Sequence, residues 1–225
     1  MIIFDKVTKK YPLGNIALDE LSFEIANNEF VFLVGPSGAG KTTILKLILK
    51  ETNPTSGTII IDDVDITSLS FNKIDKLRQK IGIIFQDFKI IPDKNIFENI
   101  ALSCQIKNIP SFKIKEKVRR ALSLVSLSKK EKLFPIQLSA GELQRVAIAR
   151  AIVDERNYLL ADEPTGNLDP KTAWEIMKIF KKLEGKKTII IATHNNDIVN
   201  SFKKRVITLK EGKLIKDQRK GGYEI

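Results

Sequence analysis

The chain has 225 residues, 43% of them hydrophobic, and its 38 Lys and Arg against 27 Asp and Glu leave a net charge of +11. That length and apolar content suit one compact α/β domain and exclude the disordered and collagen-like classes. The single cysteine, Cys104, excludes an intrachain disulfide and fits a reducing cytoplasm, while no apolar run reaches the roughly 18–20 residues of a membrane-crossing helix.

Met1–Asp5 lacks the charged start and long apolar core of a signal peptide, so any role at a membrane is expected to run through a partner or the surface. The lysines read as scattered and rarely interleaved with aromatics, and no nucleic-acid partner is expected.

In chain order, Met1–Val7 alternates loosely and Leu21–Ile25 alternates apolar with polar residues, which predicts short strands in an N-terminal β subdomain. Phe30–Val34 is a continuous apolar run, as in a strand buried on both faces. It ends in a Gly-rich turn, Gly35–Gly40, followed by a helix-like Thr42–Lys50. Thr58–Asp62 and Ile81–Phe85 predict further strands. Over Phe112–Leu127, Ile114, Val118, Ala121, Leu122 and Val125 share one helical face and Lys and Arg the other.

Residues 88–155 therefore read as a mainly helical subdomain, inserted into a core of 1–87 and 156–225 within a single domain. Tyr158–Ala161 and Thr188–Ala192 return to the buried-strand pattern, with an amphipathic helix at Lys171–Leu183 between them. This order predicts a largely parallel core sheet with its ligand at the strands' carboxyl ends.

Gly35-Pro36-Ser37-Gly38-Ala39-Gly40-Lys41-Thr42 fits the phosphate-loop pattern G-x-x-x-x-G-K-[ST], here after a buried strand and ahead of a helix, with Thr43 next in line. Glycines let the loop curl so that backbone N–H groups converge on phosphate oxygens, and the helix N-terminus adds its positive end. Lys41 is placed to bridge β- and γ-phosphates, and the Thr42 hydroxyl suits Mg²⁺. ATP with Mg²⁺ is thus the expected ligand of an α/β P-loop NTPase fold.

Tyr158–Glu163 is an apolar strand ending in two acids. Adjacent strand residues point to opposite faces, so Asp162 is expected to hold Mg²⁺ and Glu163 to polarise the attacking water. His194 ends a second buried strand near the same rim, where it is placed to hydrogen-bond the γ-phosphate. Gln86, at the junction with the helical subdomain, can touch Mg²⁺ and swing with that subdomain. Ser139 to Glu142 reads as a helix N-cap with a capping box, and Ala140 and Gly141 let a phosphate approach the helix end closely.

The order of the phosphate loop, Gln86, Leu138-Ser139-Ala140-Gly141-Glu142, Leu159-Leu160-Ala161-Asp162-Glu163, Gly166-Asn167-Leu168-Asp169 and His194 resembles that of ABC ATPases over essentially the whole chain. The resemblance implies a homodimer on ATP binding, with Ser139, Gly141 and Glu142 of one protomer capping the nucleotide in the other's phosphate loop. It implies that Asp169 links the two sites and that Tyr11 stacks on adenine. Ala140 departs from the usual first glycine and Asn195 from a frequent Asp.

Ile83–Pro92, Phe134–Gln137 and the run from Ala161 to Asp169 resemble the cell-division branch, whose ATPase pairs with an integral membrane protein. The branches serving efflux or lipoprotein release remain the alternative. On this resemblance the chain is cytoplasmic and peripheral on the inner membrane face, with Phe88, Ile90 and Ile91 lining a groove for a partner helix. DNA-maintenance ATPases and small-molecule P-loop kinases fit less well, the first for want of a long coiled coil, the second because the Ser139 segment would have no role.

Overall fold

The computed structural model describes residues 1–12, 14–68 and 71–222. Packing divides the chain into two compact units, Met1–Arg78 with Glu184–Ile225, and Gln79–Leu183.

The first unit holds two sheets. In the N-terminal sheet β1 (Ile2–Lys10) lies between β2 (Ile16–Ile25) and β4 (Ser56–Ile61), and β4 pairs with the short β5 (Val64–Asp65), all antiparallel. Register is set by the buried face: Phe4 sits opposite Phe23, their rings stacked with centroids 4.7 Å apart. Both hairpin strands run longer than their alternation predicts. β1 carries register shifts after Phe4 and Val7 that break the period-2 pattern while pairing continues to Lys10.

The other sheet of this unit has the order β10 (Lys213–Gln218), β9 (Arg205–Lys210), β3 (Phe30–Val34), β8 (Thr188–Thr193). β3 is parallel to both neighbours, and every residue of β3 and β8 is buried, the property that made both legible as continuous apolar runs. α1 (Lys41–Ile48) leaves the phosphate loop and buries Ile44, Leu45, Leu47 and Ile48. α7 (Asn196–Phe202) sets Phe202 against Phe30 and Phe32 at 6.0 and 6.1 Å. α2 (Ile74–Gln79) ends at the unit boundary.

The second unit contains the parallel pair β6 (Ile81–Ile84) and β7 (Tyr158–Asp162) and four α-helices among the described residues: α3 (Ile96–Ile106), α4 (Ser111–Leu124), α5 (Ala140–Ile152) and α6 (Pro170–Leu183). α4 buries Ile114, Val118, Ala121 and Leu122, the stripe expected of it. α3 falls in the stretch expected to be mainly helical, but its bounds are not legible from a stripe. Its sequence is apolar nearly all round and offers no stripe to read, but Asn95 and Glu98 close a full capping box at its start. β5, α2 and α7 are short, β10 is largely exposed on both faces, and β9 mixes buried residues with a charged residue at each end; none of the five is legible from the sequence pattern.

Candidate functional site

In the first unit the carboxyl ends of β3 and β8 lie at the same level, because Val34 pairs with Thr193. The loop Gly35–Gly40 and His194 therefore leave the same edge of one sheet, as parallel pairing requires. Gly40 caps α1 at φ 105°, where a Cβ would lie 2.6 Å from the Ala17 carbonyl oxygen and 2.7 Å from Leu18 Cδ2. No residue with a side chain fits there, so the loop can turn into the helix only at a glycine.

α1 also begins with no side-chain cap and no acid in its first turn, in contrast to the Glu-closed boxes of α3 and α5. Its positive end thus faces the loop uncompensated, as anion binding needs. Lys41 is buried at 7% exposure, and its ammonium donates to the carbonyls of Gly35 at 2.7 Å and Pro36 at 3.0 Å. The cation is held inside the curl of its own loop.

His194 is exposed directly after β8. Asn195 caps α7, its side-chain oxygen accepting from the Ile198 amide at 3.0 Å, which is the bond an aspartate there would accept. The departure at Asn195 therefore leaves the helix start intact. Tyr11 stands on the turn between β1 and β2, tied by its amide to the Asn15 carbonyl at 2.9 Å, with the Lys9 ammonium 5.1 Å from its ring centroid.

In the second unit Ile84 pairs with Ala161, so Gln86, Asp162 and Glu163 leave a common edge of β6 and β7. Asp162 ends the strand half-buried. Glu163 does not continue the strand: its φ is 46°, a left-handed backbone uncommon for a non-glycine residue, and its carbonyl accepts from the Gly166 amide at 3.1 Å. Strand alternation therefore does not set the direction of Glu163.

The segment around Ser139 forms as expected. The Ser139 hydroxyl accepts from the Glu142 amide at 3.4 Å, and the Glu142 carboxylate accepts from the Ser139 amide at 3.1 Å and from Lys130. The bond from Lys130, ahead of that from Ser139, holds the Glu142 carboxyl below the ordinary range. Asp169 starts α6, accepting from the Thr172 side chain and from its amide at 3.0 Å, and these bonds lower its pKa.

Those two helix starts meet. Thr172 Cγ2 lies 2.5 Å from where a Cβ on Gly141 would stand, so a side chain at Gly141 would have to displace the Thr172 methyl. Ser139, Ala140, Gly141, Asn167 and Asp169 line one open cavity of about 820 Å³. A second, of about 320 Å³, is lined by Phe85, Ile91, Leu102, Ile106 and Arg150; of the three apolar residues expected in a partner groove, Ile91 is among its walls.

Three residues that sequence reading passed over organise this unit. Gln144, 1% exposed, donates from Nε2 to the Pro164 carbonyl at 2.7 Å, just beyond Glu163. Arg150 donates to the carbonyls of Phe88 at 2.7 Å and Lys89 at 2.6 Å, two residues with φ of 59° and 48°. Asn99, fully buried, brackets Ile91, accepting from its amide at 2.8 Å and donating to its carbonyl at 3.0 Å. The available signal was polarity out of place: Gln144 shares a buried helical face with Ala147 and Ile148.

The profile of the ABC transporter family matches residues 18–166. The chain is 46% identical over 224 residues to the cell division ATP-binding protein FtsE of Bacillus subtilis strain 168, covering 99% of this chain and 98% of that protein. It is 42% identical over 225 residues to the protein of the same name from Mycobacterium tuberculosis H37Rv, with 99% and 98% covered. The dimeric post-hydrolysis structure of the ATP-binding cassette MJ0796, bound to ADP and Pi, superposes with a TM-score of 0.89 at 35% identity, covering 99% of this chain and all of that one.

Proposed function

The chain belongs to the ABC transporter family as one of its ATP-hydrolysing cassettes, and from that membership we propose that it is the FtsE-type ATPase of cell division, driving an FtsX-like integral membrane partner. The observation that supports this reading is likeness to FtsE proteins of two bacteria from end to end of the chain. As no helix of the described residues is long and apolar enough to cross a membrane, the proposed partner supplies the membrane anchor, and the chain works on the cytoplasmic face.

In the proposed cycle, amides of residues 35–43 and Lys41 hold the β- and γ-phosphates while Tyr11 stacks on adenine. Ser139, Gly141 and Glu142 of a second copy close over the terminal phosphate, with Asp169 joining the two sites. Glu163 orients a water and accepts its proton as the water oxygen bonds to the γ-phosphorus, and the bond to the β–γ bridging oxygen breaks to release ADP. His194 hydrogen-bonds the γ-phosphate and Gln86 reports its loss.

Thr42, Asp162 and Gln86 would hold Mg²⁺, which neutralises charge on the phosphates. One carboxylate, one hydroxyl and one amide suit a cation that keeps several of its waters, and among the described residues no cluster of three or more His, Cys, Asp or Glu offers a denser cage.

Glu163→Gln is expected to leave ATP binding intact, to lower hydrolysis by roughly 10²-fold or more and to trap a dimer on a sizing column run with ATP. Normal turnover in that variant would remove Glu163 from its role. Pull-down from membranes tests the partner: recovery of a four-helix FtsX-like protein supports cell division, whereas a lipoprotein-release or efflux permease would replace that reading.

A further inference from the structure

The positive charge is not evenly spread. Residues 111–132 hold eight Lys and Arg against two Glu, an excess that residues 203–220 equal; the first stretch differs in setting its cations beside an exposed aromatic. Some of these cations are satisfied locally: Lys117 pairs with Glu155 at 3.2 Å, Arg119 with Glu131 at 3.1 Å, and Lys130 with Glu142. Among the described residues no acid forms a close ion pair with Lys113, Lys115 or Arg120, all exposed on α4, although Lys115 lies within the field of Glu131.

The same helix leaves its largest outward apolar side chain in water. Phe112 is 79% exposed in the first turn of α4, with the Lys113 ammonium 5.7 Å from its ring centroid, and Ile106, 57% exposed, ends α3 on the other side of the short connection. With Ile114, Val118, Ala121 and Leu122 facing inward, Phe112, Glu116, Arg119 and Arg120 fall on the outward stripe at i, i+4, i+7 and i+8.

The helix start is also charged against its own dipole. α4 has no side-chain cap and no acid in its first turn, and places Lys113 where a cation is disfavoured. α3 and α5, in the same unit, each put Glu there. Fold stability does not explain this arrangement.

We propose that the α3–α4 connection and the outward face of α4 form a contact for an anionic lipid surface, Phe112 entering the boundary between headgroups and acyl chains while Lys113, Lys115 and Arg120 lie among the phosphates. A protruding aromatic ringed by cations matches an interfacial anchor, since the apolar group gains from leaving water and each cation gains from the negative surface. Duplex DNA would use the cations and has no use for Phe112 here. The contact supplements the membrane partner and needs the placement at the membrane proposed above for its setting.

The test is sedimentation of the full chain with vesicles of phosphatidylcholine alone and of phosphatidylcholine with phosphatidylglycerol, at about 0.1 M salt. The expected result is binding to the anionic vesicles only. Lys113→Glu with Arg120→Glu should weaken it at least about thirty-fold, the equivalent of ~2 kcal/mol at ~1.4 kcal/mol per decade, and Phe112→Ser about ten-fold. Both variants should keep the ATPase rate of the isolated chain, which shows them folded, and Lys216→Glu with Arg219→Glu in the C-terminal strand and the turn after it should bind as the parent does.

Equal sedimentation with both vesicle types, undiminished binding of the α4 variants, loss with the C-terminal variant instead, or α4-dependent capture by duplex DNA in place of vesicles would each overturn the proposal. No membrane protein is present in this assay, so its failure leaves the partner reading standing, and failure of the pull-down leaves this one.

Discussion

Lys41 shows how much of the site depends on a single side chain. Its ammonium is buried, and two carbonyls of the phosphate loop hold it, so desolvation has already been met by hydrogen bonds before any ligand is considered. A phosphate that draws Lys41 to it gains a charge-assisted bond in a low-dielectric pocket. Lys41→Ala is accordingly expected to raise the Kd for ATP at least about ten-fold in calorimetry, each such bond being worth about 1.5–3 kcal/mol; unchanged affinity would contradict the cradle. Glu163 differs in its backbone, whose φ of 46° is disfavoured for a residue with a side chain.

Among the elements, α5 connects more than any other in its unit. Its start presents Ser139 and Gly141, its middle reaches the Pro164 carbonyl through Gln144, and its end holds Phe88 and Lys89 through Arg150. A rigid helix with the proposed phosphate-capping residues at one end and a clamp on the segment after Gln86 at the other is suited to pass a displacement along its axis.

The contact of Gly141 with Thr172 tests how closely α5 must approach α6. Gly141→Ala, in the first turn of α5, gains less than the ~1 kcal/mol of a helix interior, and the added methyl meets Thr172 Cγ2, so a net fall in Tm is expected. Thr172→Ser in the same chain removes that methyl and should restore or exceed the parent Tm. If the single substitution is itself stabilising, the approach is looser than described. Ala140, the departure at the neighbouring position, sits in regular helix and is exposed, so its methyl is accommodated there.

At the scale of the whole molecule, the first unit is assembled from both ends of the chain. Arg205 at the start of β9 ties them, binding Glu29 ahead of β3 at 3.0 Å and Asp217 on β10 at 2.6 Å. Those bonds, that from Asp217 first, push the guanidinium pKa above its ordinary value. Removing the cation leaves two partly exposed carboxylates without their shared partner. Arg205→Met is therefore expected to cost about 2 kcal/mol in urea unfolding, an intermediate value because all three groups are partly exposed; a cost near zero would make the bridge incidental.

The phosphate loop, the capping box at Ser139, the buried strands β3, β7 and β8 and the stripe of α4 were all legible because each is written in contiguous residues or one local period. A cradle of backbone amides and a helix cap are local objects, and a strand buried on both faces must be apolar throughout. What only the tertiary structure decided is where polar groups on different elements meet: Gln144 with Pro164, Arg150 with Phe88 and Lys89, Asn99 with Ile91, Gly141 with Thr172. None of these pairs repeats with any period, for each satisfies a buried donor or fits a gap that exists only after distant segments have packed. The charge of α4 belongs to both, its cations countable in the chain and the exposure of Lys113, Lys115 and Arg120 beside Phe112 visible only once Glu131 and Glu155 had paired with Arg119 and Lys117.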